Sequence, residues 1–237
     1  MIAQVMMLEE FIDKDLGRVV ICTNNRSKQI TARYKDGEIL LTVPSAYSSS
    51  KAKLLFEEIK PQILKLEPRY RILFDENTQF ETCSFKLVIR KHQLQNYYTT
   101  LKDKTLTISC PEIVDFESKE TQKNIRNYIE TALRSDAKKI LPEKVKNLAQ
   151  KYGFNYTAVK INSSKTRWGS CSSKQSINLS FFCMLLPLHL IDFVILHELC
   201  HTIEMNHGER FWKLLDKVAN NNARQLTKEL RNVKTGW

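Results

Sequence analysis

Apolar and polar positions along this chain change period several times, and each change predicts an element. Between residues 8 and 43 the runs R-V-V-I-C (18–22) and Q-I-T-A-R-Y (29–34) are β-rich. Asp36-Gly37 then marks a two-residue hairpin into the strand E-I-L-L-T-V, which Pro44 ends. A serine-rich stretch opens a helix over 51–60, and Pro61 starts or kinks a second helical piece reaching about residue 70. Strand character returns over 80–89 and again over 105–109, after a turn at Lys102-Asp103-Lys104. From 117 to 151 Ile125, Tyr128, Ile129, Ala132 and Leu133 recur at helical spacing, predicting one long helix or two divided at Pro142, closed by Gly153 and Asn155. Short strands follow over 158–161, 166–172 and 176–181. Ile191, Val194, Ile195, Leu199 and Ile203 then form the buried face of a helix that begins just after Pro187. Phe211, Trp212, Leu215 and Val218 recur at the same spacing and should pack back under it.

This order predicts an α+β protein, with a β-rich N-terminal module over 1–112 and a second half over 113–237. The length of 237 residues, with 42% hydrophobic and 27% charged residues, suits an ordinary globular protein. Six scattered cysteines without a C-x-x-C pair suit a reducing, cytoplasmic setting. The apolar start has no basic leader and meets Glu9-Glu10 at once, so it does not read as a signal peptide. The most apolar region, 181–196, is interrupted by Pro187, His189 and Asp192, and reads as core and not as a membrane span. The net charge of +11 would attract a nucleotide or nucleic acid, but from Pro187 onward seven Lys/Arg face six Asp/Glu, so the excess lies upstream.

Three of the five histidines fall between residues 196 and 212. His197, Glu198 and His201 form H-E-x-x-H, and the four-residue step puts both imidazoles on one helical face, within reach of one metal ion. Glu198 lies beside them without having to bind. Neutral imidazole ligands, an open position for water and a carboxylate to take its proton are what a zinc hydrolase requires. Three residues compete for the third ligand position. Glu204 is one turn past His201, but three ligands in a row along one straight helix would spread too far at about 1.5 Å per residue. His207 closes the triangle better if the chain turns back, for which Asn206 and Gly208, tolerant of left-handed angles, are suited. Glu229 could stand where other zinc peptidases use a distant glutamate. The interval from His201 to His207 matches the metzincin pattern, yet Glu204 occupies its glycine position and no methionine turn follows. His189 reads as a helix-start residue, and Cys200 as core.

The run R-W-G-S-C-S-S (167–173), then Ile177-Asn178-Leu179, Pro187, H-E-L-C-H, Asn206-His207 and Arg210-Phe211-Trp212 resembles the YgjP-like metallopeptidase family of predicted metal-dependent hydrolases. The resemblance extends weakly to Arg26-Ser27, Asp36-Gly37 and Val43-Pro44. It implies a zincin-like catalytic half with an HExxH helix, related to SprT-like proteins, with His197, His201 and His207 on zinc and Glu198 as catalytic base. In the R-W-G-S-C run, glycine permits close backbone approach and Trp168 can roof the core. Arg167 or Ser170 would face the cleft, where Arg167 suits an anionic or carbonyl oxygen.

The expected reaction is zinc-dependent hydrolysis of a peptide bond in an extended peptide or unfolded protein. Residues 176–181 are the expected sheet edge, with an Asn178 or Leu179 amide turned to the substrate and Glu204 beside the ligands. One alternative keeps the metal and hydrolyses a nucleotide phosphoanhydride. Another makes the zinc structural in a nucleic-acid-binding module, which Glu198 disfavours because structural zinc fills its positions with protein ligands.

Overall fold

The computed structural model describes residues 5–35, 38–65, 72–233 and 235–237, and the Asp36-Gly37 turn and the helical piece after Lys65 lie outside them. The chain divides into two compact units, Met1–Ile72 with Gly236–Trp237, and Leu73–Thr235. The first is a four-stranded sheet of β1 (Val5–Asp13), β2 (Gly17–Asn24), β3 (Thr31–Lys35) and β4 (Glu38–Pro44), with helix α1 (Ser49–Lys65). The strand order is β1-β2-β4-β3. β2 therefore runs parallel to β4 in the middle, while the outer pairs are antiparallel. Val19, Ile21, Ile39, Leu41 and Val43 alternate onto one face and are buried with Ala52, Phe56 and Ile63 of α1. Pro61 sits inside α1 without ending it. At the rim, Lys60 bridges Asp13 at 2.7 Å and Asp15 at 2.8 Å.

The second unit holds two three-stranded sheets around one long helix. Strands β5 (Lys86–His92), β6 (Tyr98–Lys102) and β7 (Thr105–Pro111) form the first, in the order β5-β7-β6. Helix α2 (Lys119–Tyr152) follows as one piece of 34 residues, with Pro142 inside it. Gly153 ends it at a φ of 74°, its N–H bonded to the Ala149 carbonyl. Strands β8 (Ala158–Asn162), β9 (Gly169–Cys171) and β10 (Ser176–Ser180) form the second sheet. A 3-10 turn (Phe181–Leu185) then leads into α3 (Leu188–Cys200), α4 (Glu209–Val218) and α5 (Ala223–Asn232). Among the described residues no helix is long and apolar enough to cross a membrane.

The observed architecture is α+β, with N-terminal strands and three runs of strands each followed by one or more helices. Residue 112, where the sequence places its boundary, falls inside the second unit. Strand β7 packs on α2, and the Cys83 N–H donates to the Met184 carbonyl at 3.2 Å, tying the 80s to the segment before α3. Residues 80–85 are also not a strand. Thr82 closes a tight turn, its hydroxyl oxygen accepting from the Ser84 and Phe85 amides, so that Glu81 bridges to Lys86. The alternation that suggests a strand is carried by Phe85, Leu87 and Ile89, whereas Phe80, out of phase with them, is buried through the turn. Strand β6 carries no such signal, because all five of its residues are exposed.

Candidate metal centre

Helix α3 is buried on almost every side, and its last turn carries His197 and Glu198. His201 follows as the residue that caps it, still with helical angles. The chain then leaves the helix axis. Thr202, Ile203 and Glu204 fold over the end of α3 through bonds to the Leu199 and Cys200 carbonyls, and the path returns through His207 to α4. This return needs no left-handed residue. Gly208 has a φ of −74°, and a side chain there would meet nothing within 4 Å, so the expected role for its backbone freedom does not apply.

The return brings three nitrogens together. His197 Nε2 and His201 Nε2 are 3.2 Å apart, His201 Nε2 and His207 Nε2 3.2 Å, and His207 Nε2 and His197 Nε2 3.0 Å. Tetrahedral zinc with nitrogens at about 2.0–2.1 Å would separate them by about 3.3 Å. The triangle therefore has the size of one coordination face. Its protonation also fits a cation. The His201 Nδ1–H donates to the Glu204 carbonyl at 3.0 Å, which leaves the lone pair of Nε2 turned toward the other two rings. Burial, with the neighbouring imidazoles adding to it, pushes His197 down to about 4, and burial also lowers His201, so both rings are held neutral. Phe211 of α4, fully buried, supports the triangle from below. Its ring stacks on His201 at 4.5 Å and meets His197 and His207 edge-on at 5.0 and 4.7 Å. Among the described residues no fourth His, Cys, Asp or Glu joins the group.

Glu198 is 6% exposed. Burial raises its carboxyl to about 7, and the positive charge of Arg167 works in the opposite direction. One wall of its cage is backbone. A Cβ built on Gly169 would lie 2.7 Å from both Cγ and Oε1 of Glu198 and 2.9 Å from Cδ, closer than such contacts occur. The glycine of the R-W-G-S-C run is thus the residue that lets β9 lie against the carboxylate. The run is anchored at its neighbour, since the Trp168 carbonyl accepts from the Ser180 N–H at 2.8 Å and from the Cys183 thiol at 3.3 Å.

Other residues singled out by the sequence fall in different places. Gly169 faces α3, so alternation turns Ser170, and Asn178 opposite it in the ladder, to the other face of the sheet. Neither side chain is on the Glu198 side. Arg167 is exposed, and Glu204 meets the triangle through its carbonyl and not its carboxylate. His189 is paired with Glu229 at 2.6 Å, and neither belongs to the cluster. Cys200 is fully buried, and burial holds its thiol up at about 12. The expected sheet edge is also displaced. The order β8-β10-β9 puts residues 176–180 in the middle of the sheet, paired on both sides, and leaves β9 at the edge. The support from Phe211 was not legible as such, although its apolar spacing marked it as buried beneath α3.

No curated protein matches this chain. Two crystal structures are similar to part of it, both of metallopeptidase zymogens. Abylysin of Pyrococcus abyssi is 20% identical over 38% of this chain and 91% of its own, with a TM-score of 0.35. Jannalysin of Methanocaldococcus jannaschii is 21% identical over 38% of this chain and 93% of its own, with a TM-score of 0.34. The family model of the YgjP-like metallopeptidase domain matches residues 28–233, most of the sequence, and the chain belongs to that family.

Proposed function

We propose that this protein is a zinc-dependent peptidase in which His197, His201 and His207 hold the metal and Glu198 is the general base. The observation that carries the reading is the closed triangle of imidazole nitrogens with a buried carboxylate on the adjacent residue, caged by the backbone of β9. Zinc held by the three imidazoles supplies Lewis acidity toward a water and a carbonyl oxygen. Glu198 takes the proton of the attacking water and returns it to the leaving amine. Its cage prevents the side chain from swinging into solvent, and so keeps it aimed. His201 is held in the correct tautomer by the Glu204 carbonyl, and Phe211 fixes the ring planes.

The substrate reading follows from the sheet order. Strand β9 pairs with β10 along one side only, and its Gly169 lies on Glu198. An extended peptide added to the other side of β9 would cross in front of the carboxylate, bound through its main chain and hence with little sequence selectivity. That favours flexible or unfolded segments as substrates, with Arg167 at the same end of the strand positioned for a carbonyl oxygen or carboxylate.

Glu198→Gln keeps the shape of the side chain and removes its basicity. It should retain one zinc per chain while cleavage of an unfolded protein falls by about a hundredfold or more. The same preparation is assayed on nucleoside triphosphates. Hydrolysis of the nucleotides alone, abolished by Glu198→Gln, would replace the peptidase reading with a phosphoanhydride hydrolase using the same centre.

A further inference from the structure

The positive charge of this chain has a location. The unit Leu73–Thr235 carries 25 Lys/Arg against 17 Asp/Glu, and between residues 86 and 111 the count is five against one. Strand register sorts that segment onto two faces. Leu87, Ile89, Leu106 and Ile108 are buried on the inner one. On the outer one, Thr105 of β7 lies between Lys86 of β5 and Lys102 of β6, and Ser109 lies between Arg90 and Tyr98. Asp103, the one acidic residue of the segment, lies in the turn, and Glu81, opposite Lys86 in an isolated antiparallel bridge, puts a carboxylate at the rim of this face. Lys86 reaches Glu81 only at 3.8 Å, with both side chains mostly exposed, a pair too weak to neutralise it. Lys102 and Lys104 have no ion-pair partner among the described residues.

The turn adds a second observation. Asp103 and Lys104 have φ angles of 48° and 57°. Glycine takes such angles freely, whereas a residue with a Cβ is strained there. The hairpin thus carries a strained, exposed lysine at its tip, directly before Thr105 of β7. The Lys104 carbonyl accepts from the Lys86 N–H at 2.9 Å, which joins the tip to the edge of β5.

We propose that the outer face of the β5-β7-β6 sheet binds single-stranded nucleic acid. Spaced cations on one sheet face match phosphates, and the Tyr98 ring, 48% exposed and held edge-on by His92 at 5.3 Å, offers a surface on which an unpaired base stacks. A duplex would keep its bases from the ring, and an acidic peptide would use the lysines without it. The surface does not depend on the metal centre, and the proposal stands whatever the zinc does.

The test is fluorescence anisotropy of the full-length protein with a labelled 20-nucleotide oligothymidylate at several salt concentrations. Lys86→Gln, Lys102→Gln and Lys104→Gln together spare Arg90, whose Nε donates to Ser109. The triple variant should bind at least about tenfold more weakly, and its salt slope should flatten by about 2, at roughly 0.7 per phosphate contact. Tyr98→Ala should weaken binding about tenfold and leave the slope unchanged. Zinc content and melting temperature report that each variant is folded, and Lys102→Gln alone, with a slope loss of about 0.7, serves if the triple variant is not. The proposal is overturned if the triple variant binds like the parent protein, or if Tyr98→Ala has no effect. It is also overturned if polyglutamate displaces the oligonucleotide at equal charge concentration, which would assign the face to acidic protein.

Discussion

Gly169→Ala is the sharpest probe of the proposed chemistry. The added Cβ would lie 2.7 Å from Cγ and Oε1 of Glu198, where ordinary contact between such atoms is about 3.5–4.0 Å. Relief therefore requires a displacement of about 1 Å. Strand β9 is held by its ladder to β10 and by the Trp168 carbonyl, so the carboxylate has to move. A displacement of that size in a reacting group costs about a hundredfold in rate. The overpacking itself costs about 1–3 kcal/mol of stability. The metal should stay, since the three atoms nearest to the added Cβ all belong to Glu198. The assay combines zinc stoichiometry, melting temperature and kcat on an unfolded substrate. A double variant with Glu198→Gln adds a decisive arm: if both changes act on one group, it should be no slower than Glu198→Gln alone. Gly208→Ala is the control, because a methyl there meets open space and the backbone angles suit alanine. Parent-like kcat in Gly169→Ala, with zinc and melting temperature unchanged, would refute the claim that the cage aims the base.

Two further outcomes are expected. His207→Ala should empty the metal site, whereas Glu204→Gln should leave it filled, because Glu204 acts through its carbonyl; metal analysis after dialysis distinguishes them, and zinc loss only in Glu204→Gln would reverse the assignment. Stability of the first unit should be limited at both ends of the pH scale by Asp13 and Lys60. Burial alone would raise the Asp13 carboxyl, but the bonds from Lys60 and from the Asp15 and Leu16 amides outweigh it, so its contribution is full above about pH 4 and is lost as pH falls through the lowered pKa. The Lys60 ammonium is raised by its bonds to Asp13 and Asp15, so its contribution is full below about pH 10 and is lost as pH rises through the raised pKa. Asp13→Asn should flatten the acid limb of a denaturation series, and an unchanged limb would remove the pair from the account.

The parts of this molecule that were legible in the sequence are those set by near neighbours along the chain. The four-residue step from His197 to His201 fixes two imidazoles on one face wherever a helix forms, and the interval to His207 only had to permit a return. What was not legible is non-local. Whether β9 or β10 is the edge depends on which strand pairs with β8, and nothing in G-S-C or S-I-N-L-S states that partner. The face on which Ser170 and Asn178 lie is set by their neighbour Gly169, which packs on Glu198 of α3. The glycine of R-W-G-S-C signalled a close approach, but its partner, Glu198, is 29 positions away. Strand β6 escaped notice because both of its faces are exposed, so no alternation is imposed on it. Phe80 misled in the opposite direction, since it is out of phase with Phe85, Leu87 and Ile89 and reaches the core only through the turn that Thr82 closes.

Helix α2 has a mechanical meaning beyond its length. Over about 50 Å it touches β7, β8, the 3-10 turn and α3, and its buried positions run from Thr121 to Ala149 without a gap at Pro142. Neither sheet of the second unit can therefore open fully without stripping part of the same rod. A ligand bound at the end of α3 should therefore slow amide exchange in β7 as well as beside the histidines, as hydrogen exchange with and without zinc would read. The metal centre and the basic sheet would draw on one cooperative reserve, although they have no residue in common.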